Sequence, residues 1–423
     1  MATVTWVGRA AAVADVWTAT VGGTLEVGDK FTLTVNGKTL SVSCTTTSTS
    51  TTAAEIAAAW NALDQGLYPE FAEVTAAANG STVVLTHDTE GVPFTVSAAT
   101  TEANGGAADS QTFSVTNTTA ATGPNFWSNA QNWSGGAVPA NSDTVYIQGV
   151  DTPIKYGLDQ SAVTLAALYI DPDFTGQIGL PEENADSAAA YFEYREQYLK
   201  IGATSLVVGR GDAGQGSGLL RINTGSVQTD LLVYRTGSSD VQDAPAFWWK
   251  GTHSSNAVSV FRGDVGVAVR GGEAATVATL KVGYETGEAT DSTVRVGSGV
   301  TLTTLTMQGG TVQLGCAATT VTKNGGSLEV VGSGAITTLN NWRGEVVYRS
   351  SGTVTNLYTS GPVDYSRDMR SKTVTNAVAY SGASISDPQG VVTWTNGIDL
   401  PGCGMREVAL DLGRNITVTP SAI

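Results

Sequence analysis

The sequence predicts a mainly β protein, a parallel β-helix (solenoid) preceded by a small α+β domain. Three observations predict it. From Thr303 to Ser386 one pattern returns five times: TTLTMQGGTVQL, TVTKNGGSLEV, ITTLNNWRGEVVY, VTNLYTSGPVDY and VTNAVAYSGASIS. Each is an apolar, β-branched run, a glycine-bearing turn and a second run. The turn glycines Gly310, Gly326, Gly344, Gly361 and Gly382 are 16, 18, 17 and 21 residues apart, too close for an α/β repeat and suited to short strands stacked rung on rung. Second, 50 glycines with only 14% charged residues make a strand-and-turn composition. Third, the first 120 residues hold an Asn-Gly hairpin signal and one clear helix pattern.

Taken in order, residues 1–21 read as an N-terminal leader carrying Trp6 and Trp17, and residues 22–118 as a compact α+β docking domain. Alternating runs flank Asn36-Gly37, a hairpin signal. Thr52 and Glu55 form a capping box, Ile56, Trp60 and Leu63 share one helical face, and Gly66 is the expected stop. With the hairpin, strands at Phe71–Ala77, Ser81–Thr86 and Pro93–Ala98 give a helix laid on a sheet of four or five strands, and the small, polar stretch 100–124 holds one strand, Thr112–Val115. Residues 119–142 are a linker and a Trp-rich solenoid cap. Trp127 and Trp133, just before the strand Val145–Ile147, would cover the open end of the coil, with a sugar-stacking platform as the other reading. Residues 143–400 form the β-helix, and 401–423 a C-terminal strand and tail. About ten to thirteen rungs at about 4.8 Å give a coil roughly 50–60 Å long.

Two aromatic-rich stretches, Pro181–Leu199 and Gly237–His253, read as excursions from the coil, because a solenoid interior has little room for such side chains. Tyr191, Phe192, Tyr194, Tyr198, Phe247, Trp248 and Trp249 are therefore oligomer or partner contact candidates, with packing against the coil as the equal alternative.

Formal net charge is −16, which argues against nucleic acid and against an anionic membrane surface. Three widely spaced cysteines and two histidines give no disulfide framework or zinc pattern. No run of 18 apolar residues exists, and the N-terminus lacks a signal-peptide pattern, so synthesis in the host cytoplasm is expected. Glu193, Glu196, Asp212, Asp230, Asp240 and Asp243 are the acidic residues set among aromatics or loops, but no paired-carboxylate motif stands out. Arg210-Gly211-Asp212 resembles an integrin tripeptide in a loop where chance explains it. Asp171 with Asp173, or Asp186 with Glu182 and Glu183, are weak calcium candidates without a calcium-loop pattern. Nucleotide-binding, hydrolase and metalloprotease motifs are absent, so neither an enzyme nor a cofactor is expected.

The segments GDKFTLTVNGKTLSV through PFTVSA (Gly28–Ala98), the lead-in Asn132–Val145, Lys155–Ile170, Thr175–Pro181 and Tyr191–Gly202 together resemble phage and prophage structural proteins over roughly residues 1–270. The lead-in is also similar to one in bacterial surface adhesins. The resemblance implies a virion location and a non-enzymatic structural protein, a homotrimeric capsid decoration (cement) or fibre protein. Its partner would be the major capsid protein or another virion protein, bound through the N-terminal domain, with no catalytic residues to carry over. The alternatives are a tailspike-like protein that binds or depolymerises a host surface glycan, and a cell-surface adhesin.

Overall fold

The computed structural model describes residues 2–63, 67–103, 110–184, 190–211, 214–239, 243–283 and 291–421. A long parallel coil follows a small α+β unit. The leading wall of the coil is a continuous ladder of parallel strands that begins Thr3–Thr5, Thr144–Ile147, Asp159–Ile170, Leu199–Val208 and Asp230–Val233. It ends at Lys372–Ala379, Ile398–Pro401 and Val418–Ser421. A second wall runs from Leu220–Asn223 through Phe247–Lys250, Gly263–Val267 and Ser292–Val296 to Ser384–Asp387 and Ala409–Leu412. From Ala275 onward a third wall is built by the first halves of the longer strands, such as Ala275–Val277 on Val300–Leu302. Coil pairing therefore continues through residues 401–421.

Alternation explains the walls. In Ser327–Val330 and Thr311–Leu314 every second residue is buried, so Val312, Leu314, Leu328 and Val330 enter one core with no exposed area. The turn glycines of the repeat are stacked too. Gly326 has φ +74°, and a Cβ there would stand 2.2 Å from the carbonyl oxygen of Gly310 on the preceding rung. A Cβ at Gly344 would meet the Gly326 carbonyl in turn. Successive backbones approach too closely at this corner for any other residue. Gly361 belongs to the same column without a left-handed backbone.

The leader supplies two strands that its composition did not announce. Thr3–Thr5 is the first strand of the coil, and Val16–Gly22 is a central strand of the α+β unit. That second strand changes the unit's architecture. Instead of one sheet there are two antiparallel ones, of four strands and three, around a core that includes Phe31, Leu33, Ile56, Trp60, Val83 and Leu85. Asn36 and Gly37 both have positive φ, 52° and 80°, the geometry of the expected tight hairpin.

The helix, Thr49–Asn61, starts before the expected capping box. Ser48 is its N-cap, accepting from the Thr51 amide, while Glu55 accepts from the Thr45 amide and hydroxyl, and Thr52 is buried. Ser48 offers the same capping chemistry one turn earlier, which leaves Thr52 free to face the core. The expected stop at Gly66 lies outside the described residues. Phe71 falls in a short helix, Pro69–Ala72, and the strand after it begins at Val74.

One expected excursion is instead part of the coil. Phe247–Lys250 is a strand of the second wall, paired between Leu220–Asn223 and Gly263–Val267. Phe247 and Trp249 point inward with 0% and 1% exposure. On the neighbouring rungs of the same wall the register partners of Phe247 and Trp249 are the smaller Leu220, Ile222, Val265 and Val267, so the large rings stack between aliphatic side chains.

Candidate functional site

Three places combine charged, polar and aromatic side chains: the junction of the two units, the wall beside Tyr198, and an open corner groove.

At the junction, Asn132 is fully buried and ties the segment at Ala10 to the one at Gly123–Phe126. Its Oδ1 accepts from the Ala10 amide at 2.7 Å, and its Nδ2 donates to the carbonyls of Gly123 and Phe126 at 2.8 and 2.9 Å. The chain thus leaves the coil and re-enters it through one amide side chain. Beside it, Trp133 packs edge-on against Trp127 at 4.6 Å and against Trp6 at 5.0 Å. All three indoles are essentially without exposed area, next to the terminal strand Thr3–Thr5. Trp133 Nε1 donates to the Trp127 carbonyl, and Trp6 Nε1 to that of Thr152. Trp133 and Trp6 are thus anchored by their polar edges as well as by packing, whereas the buried Trp127 Nε1 has no hydrogen-bond partner and that ring is held by packing alone.

From the expected excursion at 181–199, Tyr191, Tyr194 and Arg195 reach the α+β unit. Tyr191 donates to Glu73 Oε2 at 2.7 Å and accepts from Asn184 Nδ2 at 2.8 Å. Tyr194 and Arg195 reach the Pro93 carbonyl at 3.4 Å, and Arg195 is forked onto Glu193 at 2.7 and 2.8 Å. His87 is buried, its Nδ1 accepting from the Thr89 amide and its Nε2 lying 3.8 Å from Glu73 Oε2. Burial opposes ionisation of Glu73, but His87, Tyr191 and Arg195 outweigh it and hold the carboxyl below its ordinary value. Burial, with Glu73 beside it, pushes the Tyr191 phenol well above its ordinary range.

Further along, Tyr198 lies under Lys250 Nζ, 3.9 Å from its ring centroid, and Lys250 is paired with Glu273 at 2.9 Å. Arg221 stacks over Trp248 at 4.8 Å and donates to Gln197 Oε1 at 3.0 Å. Arg270 covers the same indole at 5.5 Å and is paired with Glu182. Burial draws the pKa of Arg221 down, and its charge is held by aromatic faces and an amide oxygen.

Of the seven aromatic contact candidates, Tyr191, Tyr198, Phe247, Trp248 and Trp249 are buried within the chain and Tyr194 is half-buried. Phe192 stands apart, 86% exposed. Among the acidic candidates, Glu193 is held by Arg195, Glu196 by Lys200, Asp230 is exposed on its strand, and Asp243 lies in the corner groove. Asp212, Asp240 and Asp186 lie outside the described residues, and Arg210 and Gly211 of the tripeptide are exposed. Asp171 is pushed up by burial and by the charge of Asp173. Among the described residues no three His, Cys, Asp or Glu side chains converge as metal ligands would.

The groove opens at the corner after Val233 and Val260, with a volume of about 730 Å³. Arg235, Arg262 and Arg295 line it with Asp243, Asp264 and Asp291. Sequence reasoning passed over five of these six. The available signal was loop length: a two-residue turn, Phe261-Arg262, lies between two much longer connections.

Compared with family models and with curated proteins, the chain matches none.

Proposed function

We propose that the chain is a non-enzymatic structural protein of a virus particle, a homotrimeric head-decoration or fibre protein. In this reading the α+β unit binds a capsid or other virion protein, and the coil braces the particle or projects from it. The observation that carries the reading is the way the two units are tied. The chain supplies the first coil strand, leaves to fold the α+β unit, and returns through Asn132. A load applied to one unit then passes to the other through hydrogen-bonded backbone rather than through a flexible linker. The charged side chains beside Tyr198 are engaged within the chain, Lys250 with Glu273 and Arg270 with Glu182, which also favours scaffold over catalysis. Phe192 is the contact candidate left open to another chain.

Sedimentation equilibrium tests the assembly. The expected species is a trimer, shifted toward monomer by Phe192→Ser without loss of folded structure. A wild-type monomer at micromolar concentration that also fails to co-sediment with virus particles would overturn the proposal.

A further inference from the structure

The regular half of the coil carries an uncharged outer surface on two adjoining walls. The strands Val300–Met307, Ala318–Lys323, Ile336–Asn341, Val354–Thr359 and Lys372–Ala379 each contribute to the third wall and then to the leading wall. Their two charged residues, Lys323 and Lys372, are buried. What faces outward is threonine, asparagine, Tyr358 and Val378. Thr303, Thr319, Thr337 and Thr355 are exposed one above another, rung after rung. Next to that column Asn356, Asn376 and Asn396 are joined side chain to side chain at 2.9 and 2.6 Å. The second wall over the same rungs is different: Glu329 is paired with Arg349, and Asp364 with Arg367.

An aromatic patch completes this surface. Among the described residues Trp342 is the one exposed tryptophan, at 41%. Trp342, Ser360 and Tyr380 follow the paired residues Asn341, Thr359 and Ala379 on successive rungs. The rings of Trp342 and Tyr380 lie 5.8 Å apart, and Ser360 Oγ donates to the Trp342 carbonyl at 2.8 Å. Two residues before Ser360 and Tyr380, Tyr358 and Val378 are register partners, outward-facing and half-buried.

We propose that these two walls are the contact between copies of this chain. Copies with a net charge of −16 repel one another, and they approach at least cost through walls that present no charge. Depletion of charged side chains around a few aromatics is the composition of an interface core. The rungs repeat about every 4.8 Å, so the side-chain ridges of one coil match the grooves of an identical coil. Two such walls meeting along one edge give each copy a face for each of two neighbours, as a closed ring requires. The number of copies rests on the homotrimer reading above; the surface through which they meet is the addition.

Sedimentation equilibrium of Thr337→Lys and Trp342→Ala tests it, with Thr311→Lys, at an exposed threonine of the second wall, as control. A lysine lowers the net negative charge, so weaker association in Thr337→Lys reports the contact and not repulsion. Thr337→Lys and Trp342→Ala should each weaken self-association about tenfold or more at unchanged melting temperature, and Thr311→Lys should behave as wild type. Oxidative footprinting of the wild-type chain should show Trp342 protected as concentration rises into the associated range. A trimer that neither variant weakens, with Trp342 equally reactive at every concentration, would overturn this proposal and leave the trimer standing. A wild-type chain that stays monomeric would overturn both.

Discussion

The side-chain oxygen of Asn132 accepts a 2.7 Å hydrogen bond from the backbone amide of Ala10, 122 positions earlier in the chain. With the two carbonyls that Asn132 also serves, this bond fixes where the α+β unit is inserted into the coil. Asn132→Ala removes all three bonds and leaves the buried Ala10 amide without its acceptor, while the carbonyls of Gly123 and Phe126 keep only the longer bonds from the Phe126 and Asn129 amides. A loss of about 2–4 kcal/mol is expected, measured by denaturant unfolding. Hydrogen exchange should accelerate first in Thr144–Ile147 and Asp159–Ile170, the strands behind the junction.

Glu73 couples the units from the other side. Because its folded-state pKa lies below the ordinary value of 4.5, its contribution is complete above that value and is lost as pH falls through the lower folded pKa. Melting temperature against pH should therefore drop on the acid side of 4.5, and Glu73→Gln should flatten that drop. Tyr191→Phe, which deletes the 2.7 Å bond, should cost about 1–3 kcal/mol at neutral pH. Identical acid profiles for wild type and Glu73→Gln would count against the coupling.

The glycine column predicts a contrast between two substitutions of the same kind. Gly326→Ala combines a left-handed backbone with a contact to the Gly310 carbonyl that no Cβ tolerates, and should cost about 2–4 kcal/mol. Gly271→Ala, where a Cβ meets nothing within 4 Å and the backbone is unstrained, should change stability by less than about 0.5 kcal/mol. Thermal unfolding of the pair checks it.

Lys323 is fully buried in the coil, its Nζ donating to the Arg343 carbonyl at 2.6 Å. Burial pulls its pKa down to about 8, against the weaker opposing charge of Glu345. The unfolded chain therefore binds more protons between pH 8 and 10.5, and stability should rise through that window. Lys323→Met should abolish the rise and leave the protein within about 1.5 kcal/mol of wild type, or more stable, at pH 7. A wild-type curve that is flat or falling there would contradict the assignment.

The coil was legible in the sequence because its signal is local and repeated: alternation along each strand, and a glycine wherever rung backbones touch. The Trp127–Trp133 pair could likewise be marked for the start of the coil. What escaped was set by pairing between distant segments. Thr3–Thr5 and Val16–Gly22 carry weak patterns of their own and become strands only because Thr144–Ile147 and Thr82–His87 pair with them. Phe247 and Trp249 enter the coil because their register partners on adjacent rungs are smaller aliphatic residues, and Trp248 is covered from outside by Arg221 and Arg270, neither of which is local in sequence. The groove is invisible for the same reason, since Asp264 and Arg295 are neighbours across strands, 31 residues apart.

We propose above all that this chain is a stoichiometric part of a virus particle. Quantitative mass spectrometry of purified particles, counting peptides of this chain against those of the major capsid protein, tests it most directly. A fixed copy number in a multiple of three is predicted. Particles that contain none of it, with the chain recovered only from the host cell, would contradict the account.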